Sequence, residues 1–129
     1  MGSAELKHKE DEMAAIAMIL KRSPYGDINA AEAVRHALGA VSFEMGVDLI
    51  LADGGVLLAK KGQDDRGTGF TNLESTLKDC LDMGVSVYAD TASLKAQRVA
   101  PNDLVEHVKT VGSKEIAGLL KEAKATMIF

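Results

Sequence analysis

The sequence predicts one α/β domain built on a parallel sheet, and three observations predict it. Apolar runs of strand length recur at Met13–Leu20, Val47–Ala52, Val85–Ala89 and Ala125–Phe129. Segments with helical periodicity or helix-capping residues separate them. Strand and helix alternate throughout, as parallel pairing requires, because every crossover between parallel strands needs a covering element. At 129 residues the chain can bury one core but not two.

The elements follow in order. Residues 1–12, "MGSAELKHKEDE", are polar and aperiodic and read as a loose tail, leaving residues 13–129 as the domain. Met13–Leu20 is continuously apolar, as in a central strand buried on both faces. Pro24 and Gly26 then break the chain. From Asn29 a helix is predicted, with Ala30, Ala33, Val34, Ala37, Leu38 and Val41 on one face and Gly46 near its C-terminal stop. Val47–Asp53 reads as the second strand, followed by Gly54-Gly55 and a short helical segment over "VLLAKKG". "QDDRGTG" reads as a loop. Thr71 and Glu74 have capping-box spacing, and Gly84 closes that helix. "VSVYA" is the third strand and leads into a short helix from Asp90 to about Gln97. A weak fourth strand is expected over Val105–Val111. Ser113 reads as the N-cap of a helix whose buried stripe is Ile116, Leu119, Leu120 and Ala123. "ATMIF" is the last strand.

Composition excludes several function classes. A net charge of −4 and a pI near 5.3 leave no basic footprint for direct nucleic-acid binding. One cysteine excludes an internal disulfide and agrees with a reducing compartment. No secretory signal is visible, and the longest apolar run falls short of the roughly 18 residues of a membrane span. The expectation is a cytoplasmic protein without membrane contact. His8, His36 and His107 are scattered, so neither a metal site nor a Ser-His-Asp order is expected. Gly67-Thr68-Gly69 lacks the remaining features of a dinucleotide or phosphate loop. No cofactor is expected.

The stretches "ILKRSPYGDINAAEAVRHAL", "LILADGGVLLAKKGQ", "VYADTASLKAQRV" and "ATMIF" together resemble the DsrE/DsrF-like family, which includes the TusC- and TusD-type subunits of sulfur-relay complexes. The resemblance runs in order from about Met13 to Phe129. It implies a three-layer α/β/α domain with a five-stranded parallel sheet and assembly into homo- or hetero-oligomers, including with other sulfur-relay subunits. In sulfur-transferring members a cysteine just after the strand corresponding to "VSVYA" carries a persulfide. Here that position falls at Ala89 or Asp90, and neither is cysteine. The Arg-Gly pair that usually follows is replaced by Gln97-Arg98.

The candidate ligand-binding residues lie after the first three strands, whose ends share one edge of a parallel sheet. They are Ser23, Tyr25 and Gly26, then Asp53, Gly54 and Gly55, then Asp90, Thr91 and Ser93. Lys21 and Arg22 add positive charge beside the first group, and the glycines allow positive φ or close approach of a ligand. Asp90 reads as a helix N-cap standing where a nucleophile is absent. Cys80, the only thiol, is the weak catalytic candidate. It shares an apolar helix stripe with Leu73, Leu77 and Leu81, which reads as a small buried hydrophobe. Three functions stay open: an accessory or ligand-binding oligomer subunit for a small anionic or sulfur-containing molecule, a sulfurtransferase using Cys80, and a purely structural or regulatory protein-binding subunit.

Overall fold

The computed structural model describes residues 15–24, 28–62 and 73–129. The predicted tail, Tyr25, Gly26, the Gly67–Gly69 loop and the Thr71 cap lie outside these residues. Five strands form one sheet: β1 (Ile16–Leu20), β2 (Val47–Leu51), β3 (Ser86–Asp90), β4 (Lys109–Val111) and β5 (Ala125–Ile128). Their order is β4-β3-β2-β1-β5, and every pairing is parallel. Between them run the helices α1 (Asn29–Ser42), α2 (Leu73–Asp82), α3 (Thr91–Ala96) and α4 (Ser113–Glu122), with 3₁₀ segments at Asp53–Ala59 and Pro101–Asp103. This is the α/β architecture that the alternation predicts. Among the described residues no helix is long and apolar enough to cross a membrane.

Side chains alternate across the strands, so each strand contributes to both faces. One face carries Met18, Leu20, Val47, Leu49, Leu51, Val87 and Ala89, all buried in a single cluster. Against it pack Ala30, Ala33, Val34 and Ala37 of α1 and Leu73, Leu77 and Cys80 of α2. The alanines let α1 lie close to the sheet. On the other face Ala17 and Ile50 are fully buried, with Asp48 and Thr126 in register beside Ala17, and Ile19 and Tyr88 beside Ile50. Burial pushes the Asp48 carboxyl above its usual range, and the Lys109 charge partly opposes this. Lys109 Nζ lies 5.6 Å from the centre of the Tyr88 ring.

From β1 to β4 the chain steps in one direction, then returns to the far side of β1 as β5. Right-handed crossovers therefore place α4 on the face opposite α1 and α2. The predicted α4 stripe needs correction. Ile116, Leu119, Leu120 and Ala123 are only half-buried, and α4 has no buried residue. An apolar stripe fixes which side of a helix faces inward, but not how much surface waits there.

Helix ends also differ from expectation. Three helices close with the paired backbone bonds of the Schellman motif. In α1, Glu44 N–H reaches Val41 O at 3.0 Å and Met45 N–H reaches Ala40 O at 3.2 Å. The residue in the left-handed conformation is Glu44, at φ 62°, and not Gly46. In α2, Gly84 takes this position as predicted, at φ 101°. In α3 it is Arg98, at φ 58°, with Val99 N–H bonded to Leu94 O at 2.9 Å. At the start of α4 the cap is Gly112 rather than Ser113, and Glu115 Oε2 accepts the Gly112 N–H at 2.7 Å. The fourth strand is shorter than Val105–Val111, because Val105 N–H is taken by Ala59 O and His107 turns the chain at φ 74°.

Candidate functional site

Register sets the site. Leu20 pairs with Leu51, Leu51 with Ala89, and Asp90 with Val111, so four strands end level on one edge. The segments that follow them meet there. Ala52 N–H donates to Leu20 O at 3.0 Å, and Gly55 N–H to Ala52 O at 2.8 Å. This folds the segment after β2 onto the end of β1. A side-chain carbon at Gly55 would stand 2.1 Å from Leu20 O, so only glycine fits. One at Gly54 would stand 3.1 Å from Ser23 N. The two glycines thus serve close backbone approach. The positive φ in this turn belongs to Asp53, at 49°.

The junction after β3 is tied to this turn by one hydroxyl. Asp90 ends β3 and caps α3, and its Oδ2 accepts the Ser93 N–H at 3.1 Å. Ser93 Oγ donates to the same Oδ2 at 2.5 Å and accepts the Asp53 N–H at 2.8 Å. Ser93 is the buried polar residue among those described, at 6% exposure. Its proton is held by one partner and a lone pair by another, which commits it to structure. Thr91 Oγ1 donates to Val111 O at 2.8 Å, fixing the end of β4 to the same corner. Ser23 and Gly54 are half-buried, while Asp53, Thr91, Lys21 and Arg22 are exposed.

Of the predicted site residues, Ser23, Asp53, Gly54, Gly55, Asp90, Thr91 and Ser93 come together on this edge. The bond from Ser93 to Asp53 spans 40 residues of sequence and leaves no local signal. The carbonyls of Leu20 and Val111 belong to the same corner, and no side-chain type announces them. Cys80 lies elsewhere. Its carbonyl accepts the Val85 N–H at 3.0 Å, just before β3, so it sits at the opposite edge from Asp90. The thiol is fully buried, with Sγ 3.7 Å from Val34 O. Burial, with the nearby Asp79 charge adding to it, pushes its pKa up to about 11. A thiol held neutral in this way is a poor nucleophile. Among the described residues no group of three or more His, Cys, Asp or Glu gathers as metal ligands.

The comparisons with known proteins agree with this architecture. The model of the DsrE/DsrF-like family matches residues 14–129. The intracellular sulfur oxidation protein DsrF of Allochromatium vinosum is 30% identical over 124 residues, covering 84% of this chain and 91% of its own length. An uncharacterized protein of Methanopyrus kandleri is 30% identical over 115 residues, covering 88% of this chain and 93% of its own. The crystal structure of the ychN protein from E. coli superposes with a TM-score of 0.82 at 21% identity, over 91% of this chain and all of that one.

Proposed function

Because the chain belongs to the DsrE/DsrF-like family, we propose that it is a sulfur-relay subunit that carries no sulfur itself. It acts in the cytoplasm as an accessory or ligand-binding member of an oligomer. One observation carries this reading. At the junction where the family resemblance puts a persulfide cysteine, the chain has Asp90, whose carboxylate is closed onto Ser93. A carboxylate there satisfies the N–H groups of α3 but cannot hold sulfane sulfur. The only thiol is buried at the other edge of the sheet, which speaks against Cys80 as a substitute carrier.

The edge formed by Ser23, Gly54, Asp90 and Thr91 is the place for a small anionic or sulfur-containing ligand. Lys21 and Arg22 favour an anion, and Asp53 and Asp90 limit its charge. The name of the Allochromatium relative, a sulfur oxidation protein, supports the sulfur context.

The test is incubation with a small-molecule persulfide donor, read by intact mass spectrometry. The native chain is expected to gain no sulfur. Asp90→Cys is expected to gain one sulfur atom and to titrate below the free-thiol value of about 8.5, because N–H groups at a helix start favour thiolate. Sulfur uptake by the native chain would replace this reading with a transferase using Cys80. An unreactive Asp90→Cys thiol would show that position 90 is not the carrier position.

A further inference from the structure

We propose that the end of the domain opposite Asp90 is a docking surface for a basic, amphipathic segment of a partner protein. Phe43, Met45 and Met83 are exposed there, at 83%, 40% and 49%. Topology brings them together. α1 and α2 lie on one face of the sheet and lead into the neighbouring strands β2 and β3, so they end side by side. They pack directly, with Cys80 Sγ 3.7 Å from Val34 O. The two strands start level, because Asp48 pairs with Ser86 and sets Val47 beside Val85. Met45 and Met83 each stand two residues before these level positions. Their own helices hold both turns, Met45 N–H donating to Ala40 O at 3.2 Å and Met83 N–H to Asp79 O at 3.0 Å. Packed helices lie about 8–10 Å apart, a gap that two methionines and a phenylalanine span. Single exposed apolar side chains are ordinary, whereas a cluster with a polar rim marks an interaction surface. Methionine adds a shape that adapts to its partner.

Charge selects the partner. Glu44, Asp79 and Asp82 rim the apolar side chains and are all exposed. Asp79 stands one turn before Met83, on the same side of α2. Among the described residues no ion pair occupies these three carboxylates. A helix C-terminus is the negative end of the helix dipole and favours a cation in its last turn. α3 and α4 supply one, Lys95 and Lys121, but α1 and α2 have none. α2 ends instead on Asp79 and Asp82, against its own dipole. Lys78 is turned back to Glu74 at 3.1 Å, and Lys124 stands past β1, beside β5. A second copy does not fit this surface, because a two-fold contact would set the same carboxylates and helix ends against each other. Nucleic acid and anionic lipid are repelled for the same reason. A segment with an apolar stripe flanked by lysine or arginine satisfies both the centre and the rim.

The test uses the full-length chain and a fluorescent amphipathic helical peptide of lysine and leucine, read by anisotropy. The peptide is expected to bind, and its counterparts with glutamate for lysine or serine for leucine to bind at least about tenfold more weakly. Phe43→Ser is expected to weaken binding by about tenfold or more, as for a central apolar anchor. Ile128→Ser, which removes exposed apolar surface elsewhere, is expected to leave binding unchanged. Asp79→Lys is expected to weaken binding while raising the melting midpoint, because a lysine there complements the helix dipole. A purely structural role does not move these two readouts in opposite directions. Phe43→p-benzoylphenylalanine, irradiated with the peptide, identifies the occupant and is expected to cross-link to the peptide. Cross-links to a second copy or to residues 1–14 of the same chain, with none to the peptide, would overturn the proposal. Binding unchanged by Phe43→Ser or Asp79→Lys, or lost in Ile128→Ser, would overturn it too. The sulfur-uptake test reads the opposite edge and is independent of all these outcomes.

Discussion

The face that carries α1 and α2 and the end built from α4 and β5 are made of similar residues but held differently. Under α1 and α2, Val34, Leu77 and Cys80 reach 0–1% exposure against Leu49 and Leu51. At the other end, neither α4 nor β5 has a buried side chain, although Leu119, Leu120, Met127 and Ile128 are as apolar as any core residue. That end is joined to β1 by backbone bonds, including Lys124 N–H to Ala15 O at 2.9 Å. The difference shows that hydrophobic sequence does not by itself make core. A side chain stabilises in proportion to the surface it removes from water, and the apolar stripe of α4 is only half-buried while Ile128 of β5 stays 69% exposed.

Paired truncations would break this comparison most directly. Leu77→Ala is expected to cost about 2–5 kcal/mol, as for a fully buried leucine. Leu119→Ala, at a half-buried position, is expected to cost below about 1.5 kcal/mol in dilute solution, because less surface and no sealed cavity are involved. Urea denaturation of the two variants measures both. Equal losses would show that α4 is as well packed as α2.

A smaller effect comes from the thiol inside the well-packed region. Cys80 has a folded pKa of about 11, above the free-thiol value, so between about pH 8.5 and 11 the folded state keeps a proton that the unfolded chain releases. Stability from this group is therefore fully present below about pH 8.5 and is lost as pH rises, by up to about 1.4 kcal/mol per pH unit within that window. Cys80→Ala should remove that slope while lowering stability at neutral pH. Thermal melts across the alkaline range test it. Native Cys80 should also react slowly with thiol reagents, and rapid stoichiometric labelling would contradict its burial.

The smallest expected change sharpens the comparison at the helix ends. Glu44 and Arg98 hold the left-handed position that Gly84 holds in α2. Glu44→Gly and Arg98→Gly are each expected to stabilise by about 0.5–1 kcal/mol, because glycine adopts this conformation without steric penalty. Gly84→Ala should cost a similar amount. These shifts are read as changes in denaturation midpoint at unchanged slope.

The sequence by itself determined the parallel α/β fold, the strands and most helices, because apolar period and strand–helix alternation are local patterns that only a few topologies satisfy. It also made Asp90 legible as a cap, since the cap and the Ser93 N–H it satisfies are three residues apart. The tertiary structure alone decided that Ser93 joins Asp53 across 40 residues, and that Gly55 lies against Leu20 O. That Cys80 stands at the edge opposite Asp90 is legible in the sequence, because a crossover helix ends at the edge where the next parallel strand begins. Glu44 and Arg98 were invisible as helix stops: the paired bonds of the helix end hold a residue whose own preference lies elsewhere. The exposure of α4 and β5 is of the same kind. A stripe of apolar residues states a demand for burial, and only the packed chain shows how much of it is met.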